Sequence, residues 1–161
     1  MATGIATLAD QFDVGTNLFH KALYGLDREA LLRRPSDHSN PLVWIAGHVT
    51  QFRVRILSLL GADYVLPWGE LFATGSHVAE TDLYPSADEL RRTWDELSAA
   101  LALRLRTISD EELAAPPSAR VPSPDGTLRG AVTLFAFHEA YHIGQLGYVR
   151  KWLGASPLME R

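Results

Sequence analysis

Three of the six histidines in this chain, His48, His138 and His142, are placed where their imidazoles can converge on one ion. His138 and His142 are four residues apart in a segment of helical period, so they stack on one face of one helix. At about 100° per residue, that face also carries Ala131, Leu134, Phe135, Tyr141, Gln145, Val149 and Trp152, so both rings face the core. The same construction puts His48 with Trp44, Ile45, Phe52, Ile56 and Leu59 on the apolar face of an earlier segment. Several imidazoles in one apolar core are costly to desolvate unless something binds them, and three neutral nitrogens around a divalent cation meet that need. Three histidines leave the ion its charge and an open coordination position, which belongs to catalytic rather than structural sites.

Residues 138–142 read His-Glu-Ala-Tyr-His and match H-E-x-x-H, in which a zinc-binding helix also supplies a general-base glutamate. The context argues against a protease. No segment alternates like the strand that holds a peptide substrate, and Gln145 and Tyr148 occupy the later metzincin positions. A third ligand of gluzincin type would have to be Glu160, in a tail beyond Gly154 and Pro157. The chain has no cysteine, which excludes disulfides, protein thiolate nucleophiles, zinc ribbons and iron–sulfur clusters. An ion with an open position could still lower the pKa of a substrate thiol, or activate water for hydrolysis. A purely structural metal in a non-enzymatic binding or stress-response bundle is the third reading, and ligand identity does not choose among them.

The candidate pocket residues are Gln145, Arg55, Tyr141, Glu139, Trp44 and Phe52. Arg55 lies seven residues after His48 on the same face, where it clamps a substrate carboxylate or else extends to solvent or an acidic partner. Gln145 orients a ligand or bonds across the helices, and Glu139 orients an imidazole or pairs with an arginine. Tyr141 brings a hydroxyl near the ion or simply packs. His77, near Trp68, Phe72 and Glu80, is a candidate lid residue with the ordinary loop histidine as its alternative; His20 and His38 take that alternative. The small residues Ala136, Ala140 and Gly144 permit close approach of another helix, within the monomer or across a dimer.

Four helical segments must position these groups. The first runs from about Ile5 to Tyr24, with Ile5, Leu8, Phe12, Phe19 and Leu23 on one stripe. The second begins at Asn40-Pro41, read as a cap and a first-turn proline, and ends at Gly61. The third opens on a capping box of Ser86 and Glu89 and carries Leu90, Trp94, Leu97, Leu101, Leu105 and Ile108. The fourth runs from near Thr127 to Gly154. Short turns are expected at residues 27–31 and after Ser109, where Glu112 completes a second capping box. The 161 residues, 47% hydrophobic and 21% charged, suit one domain over 1–161, an all-α four-helix bundle. The connection between the second and third helices, residues 61–85, is long enough to return along the bundle, so those two helices are expected to run parallel.

A net charge of −4 gives no general attraction to nucleic acid or anionic lipid. The N-terminus lacks the pattern of a secretory signal, and no window has the roughly 20 apolar residues of a membrane span, so the expectation is a cytoplasmic protein without membrane or nucleic-acid partners.

The run Phe137-His138-Glu139-Ala140-Tyr141-His142-Ile143-Gly144-Gln145, with Trp44-Ile45-Ala46-Gly47-His48 before it, resembles the DinB/YfiT-like superfamily. There HxxxHxGQ on the fourth helix follows a W-x-x-x-H element on the second. The resemblance covers nearly the whole chain, helix order and long crossover included. It implies a four-helix bundle with a divalent metal, often nickel or zinc, on His48, His138 and His142, and frequent homodimers. Relatives of that family include bacillithiol S-transferases and mycothiol-dependent maleylpyruvate isomerases. The implied function is therefore thiol-dependent transfer on a small-molecule substrate, with a low-molecular-weight thiol as cosubstrate.

Overall fold

The computed structural model describes residues 3–73, 75–76 and 81–159. It has six α-helices: α1 (Thr3–Leu23), α2 (Arg28–Leu32), α3 (Leu42–Leu59), α4 (Ala87–Thr107), α5 (Asp110–Ala114) and α6 (Leu128–Trp152). Two 3-10 turns, Gly69–Phe72 and Thr81–Leu83, lie in the crossover, and there is no strand among the described residues. The long helices α1, α3, α4 and α6 are the four periodic segments. None of the described helices is long and apolar enough to cross a membrane.

The helix ends follow local chemistry. Thr127 accepts from Gly130 N at 3.1 Å to start α6, and Ser109 with Glu112 forms the full capping box of α5. At α4 only half of the expected box forms, Ser86 Oγ accepting from Glu89 N. At α3 the cap position belongs to Pro41 itself, with extended backbone and no side-chain bond, so the helix begins one residue later than its Asn-Pro signal implies. Gly61 and Gly154 end α3 and α6 at φ +83° and +82°, a left-handed step that costs glycine little.

Each long helix packs on two others, α1 and α3 each lying against both α4 and α6. Two apolar clusters fill the interior. One joins Ile5, Leu8 and Phe12 of α1 to the C-terminal halves of α3 and α4 and the first turns of α6. The other joins Phe19 and Leu23 of α1 to the N-terminal halves of α3 and α4 and to Ile143, Leu146 and Val149. Helices α3 and α4 therefore run in one sense and α1 and α6 in the other, and the crossover makes the return that its length predicts. Trp94 stacks on Phe19 at 4.1 Å between centroids, and large side chains fully buried in this way contribute about 1.5–3 kcal/mol each. Between the clusters, halfway along the helices, lie the buried polar residues His48, Thr50, Arg53 and Glu139.

Candidate metal centre

Helix α3 presents His48 at 5% exposure, and its neighbour Gly47 decides what holds the ring. A Cβ at Gly47 would overlap the Phe72 ring, so only glycine lets the crossover lie against α3 here. Phe72 then places its carbonyl 2.8 Å from His48 Nδ1, which donates to it and leaves Nε2 bare. Trp44 lies flat against the same imidazole, 4.8 Å between centroids and 13° between planes.

Helix α6 supplies the other two rings, half-buried and one turn apart, meeting edge to face at 65° between planes. His142 Nδ1 donates to Gln145 Oε1 at 2.7 Å, so its Nε2 is bare as well. That nitrogen faces His138 Nε2 at 3.0 Å, while His138 Nδ1 is buried without a hydrogen-bond partner among the described residues. Phe52 stacks on His138 at 3.8 Å. Ligand nitrogens of His48, His138 and His142 all lie within 4.8 Å of one another. Burial pushes all three imidazoles below their ordinary pKa. For His138 the charges of His142, His48 and Arg55 add to desolvation and hold it at about 4. The rings are thus neutral at pH 7, the form that binds metal.

These residues fit a divalent ion. Tetrahedral bonds of ~2.0–2.1 Å set nitrogens about 3.4 Å apart, inside the range from 3.0 Å for the α6 pair to the 4.8 Å limit of the triad. Without a cation the two Nε2 atoms can share only one proton, and His138 Nδ1 stays unmatched. Gln145 and the Phe72 carbonyl fix two tautomers from behind, as the outer partners of histidine ligands usually do. The triad could therefore hold a metal.

A second polar cluster, centred on Arg53, was not anticipated from the sequence. Its side chain is fully buried, with Nε donating to Glu139 Oε2 at 2.8 Å and Nη2 to Oε1 at 2.7 Å. The other Nη2 proton goes to the Phe12 carbonyl, and Nη1 donates to Thr16 and Ser98. All five N–H groups are matched, and the guanidinium lies 3.6 Å over the Trp94 ring. Burial pushes the Glu139 carboxyl upward and its bonds to Arg53 oppose that. Gly15 of α1 makes room for this carboxylate, since a Cβ there would collide with it. Of the two alternatives for Glu139, pairing with an arginine is the one observed. A partial signal did exist: Glu139 is a lone acid in the apolar middle of α6, and α3 offers two arginines, Arg53 and Arg55, as its partner.

Other expectations need correction. Arg55, expected on the inner face, is exposed, with its guanidinium 5.0 Å from the Phe52 centroid. The α3–α6 seam that holds the triad opens to solvent there, and the long side chain follows it outward. Tyr141 is 57% exposed rather than inward, its ring 5.2 Å from that of His142, and Trp152 is exposed as well. Gln145 serves as the orienting partner of His142 rather than as a bond across the helices. His20 pairs with Asp95 at 2.6 Å and His38 is exposed. His77, Glu80 and Glu160 lie outside the described residues.

The geometry can be set beside known proteins. No curated protein matches the chain in sequence. Solved structures share its fold. A conserved protein from Enterococcus faecalis superposes with a TM-score of 0.74 at 16% identity, over 95% of this chain and 98% of that one. A DinB-like protein from Bacillus cereus superposes with a TM-score of 0.70 at 19% identity, over 96% and 95%. At such identities they speak for the fold alone. The sequence pattern of the DinB superfamily matches residues 11–146, a span that takes in all three histidines and the Arg53–Glu139 pair, and the chain belongs to that superfamily.

Proposed function

We propose that this protein is a divalent-metal-dependent enzyme that acts on small molecules by thiol-dependent transfer, as a bacillithiol- or mycothiol-type S-transferase or isomerase. The observation that carries the reading is the convergence of three neutral imidazoles with one side of the cluster toward solvent. A zinc or nickel ion held by His48, His138 and His142 would lower the pKa of a substrate thiol, giving thiolate near neutral pH in a chain with no cysteine of its own. The protein's own part is to orient the imidazoles through Phe72 and Gln145 and to shield them with Trp44 and Phe52.

The hydrolytic alternative loses its usual base. Both oxygens of Glu139, the glutamate of H-E-x-x-H, are bonded to Arg53 in the interior, and the residue is 3% exposed. It is a structural residue here.

The test is metal content per chain by inductively coupled plasma mass spectrometry on untagged protein, beside His48→Ala, His138→Ala and His142→Ala. Near-stoichiometric metal lost in every variant is expected, followed by chelator-sensitive consumption of a small electrophile only when a thiol is supplied. No metal in the wild type, and no uptake of added zinc or nickel, would refute the reading. Turnover independent of thiol would move the assignment to hydrolysis.

A further inference from the structure

Beside the triad, a pocket of about 310 Å³ opens between α3 and α6. Its wall is made by Phe52, Leu134, Phe135, Phe137 and Tyr141, with His138 at the inner edge. Apart from that imidazole and the tyrosine hydroxyl, these side chains offer no hydrogen-bonding group. The volume is at the lower end of small-molecule sites, and the walls are mostly aromatic.

Arg55 does not line this pocket but stands beside Phe52, which does. Its guanidinium lies over the Phe52 ring, 5.0 Å from its centroid. It is exposed, and no carboxylate pairs with it among the described residues. This contrasts with Arg53, two residues away, whose donors are all matched. A guanidinium that keeps its charge and lacks an anion, next to an apolar wall and a metal-binding edge, is complementary to one kind of molecule.

We propose that the substrate of this site is a small organic anion with an aryl-sized apolar body. The body lies in the pocket against Phe52, Leu134 and Phe137, and the anionic group faces Arg55. This rests on the reading of the triad as a reactive centre, because the pocket brings such a molecule alongside His138. The wall favours the apolar body by desolvation, and Arg55 selects the anion by a charge-assisted bond.

The experiment is a protein-observed chemical-shift titration with phenylacetate, acetate and 2-phenylethanol. It is run on zinc-treated and on metal-free protein, for the wild type and Arg55→Gln. Phenylacetate is expected to bind about tenfold or more tightly than either acetate or 2-phenylethanol. Arg55→Gln should remove the advantage over 2-phenylethanol while keeping that over acetate, with shifts centred on Phe52, Leu134 and Phe137. Equal binding of phenylacetate and acetate would overturn the apolar pocket as the recognition element. Equal binding of phenylacetate and 2-phenylethanol, or no change in Arg55→Gln, would overturn the anion site. The metal-free arm reads the selectivity even if zinc is not taken up, so a failure of the metal reading is separable from a failure of this one.

Discussion

The two polar clusters in the middle of this protein are built from similar material and differ in how completely they are satisfied. Every N–H of the Arg53 guanidinium has an acceptor, contributed by α1, α4 and α6, although the buried indole N–H of Trp94, the ring it covers, has none among the described residues. Around His138 one buried nitrogen has no partner and two others face each other across 3.0 Å. On α6 the open and the closed cluster meet at adjacent residues, His138 and Glu139, which point about 100° apart around the helix. Closed clusters hold a fold, whereas an open one next to solvent is organised for something the chain does not itself supply.

The largest effect should come from opening the closed cluster. Arg53→Met leaves Glu139 buried without its cation and should cost about 3–5 kcal/mol, read from chemical denaturation. The double variant Arg53→Met/Glu139→Leu should recover most of that loss. If it does not, the bonds to Thr16, Ser98 and Phe12 matter more than the charge pair.

Next in size is the response of the open cluster to acid. Above pH 6.5 the imidazoles are neutral in both states; below it the unfolded chain takes up protons that the folded triad resists. Stability of the metal-free protein should therefore fall as pH drops from 6.5 toward about 4, where His138 itself protonates. Melting temperature against pH should show this slope, and His138→Leu should flatten it. An unchanged slope would mean that carboxylates elsewhere dominate.

Gln145→Leu removes the acceptor that fixes His142 and should weaken metal affinity by about 10–100-fold with little change in fold stability. Calorimetric titration of zinc would check it, and a loss of stability equal to the loss of affinity would make Gln145 a packing residue. The smallest effect marks the baseline for ion pairs. Asp110→Asn breaks the exposed pair with Arg129, spaced at 3.2 Å, and should change stability by less than about 1 kcal/mol.

Much of this was legible in the sequence, for identifiable reasons. The i,i+4 spacing of His138 and His142 and the apolar neighbours of His48 are local signals, and helical geometry turns them directly into a cluster. Capping residues marked the helix starts to within a residue. The failures fall where periodicity loses its contrast. Helix α3 is buried on nearly every side, so no polar face exists against which an inward arginine stands out. The wheel picked Arg55, whereas the core holds Arg53. The carbonyl that orients His48 comes from Phe72, in a crossover with no repeating pattern, and its approach depends on a missing side chain at Gly47. Such long-range complementarity is visible only once the chain is folded.

The polar layer between the two apolar clusters has one more consequence. Helices with uniform apolar stripes can slip past each other by a turn, about 5.4 Å, and bury nearly the same area. Here a slip of α6 against α3 would pull Glu139 off Arg53 and drive both charges into hydrocarbon. The layer therefore specifies one register of the bundle, as an isolated polar position does in a coiled coil. Because Glu139 follows His138 directly in the chain, that same register indexes the histidines of α6 against His48, and an error of one turn in the fold would dismantle the site.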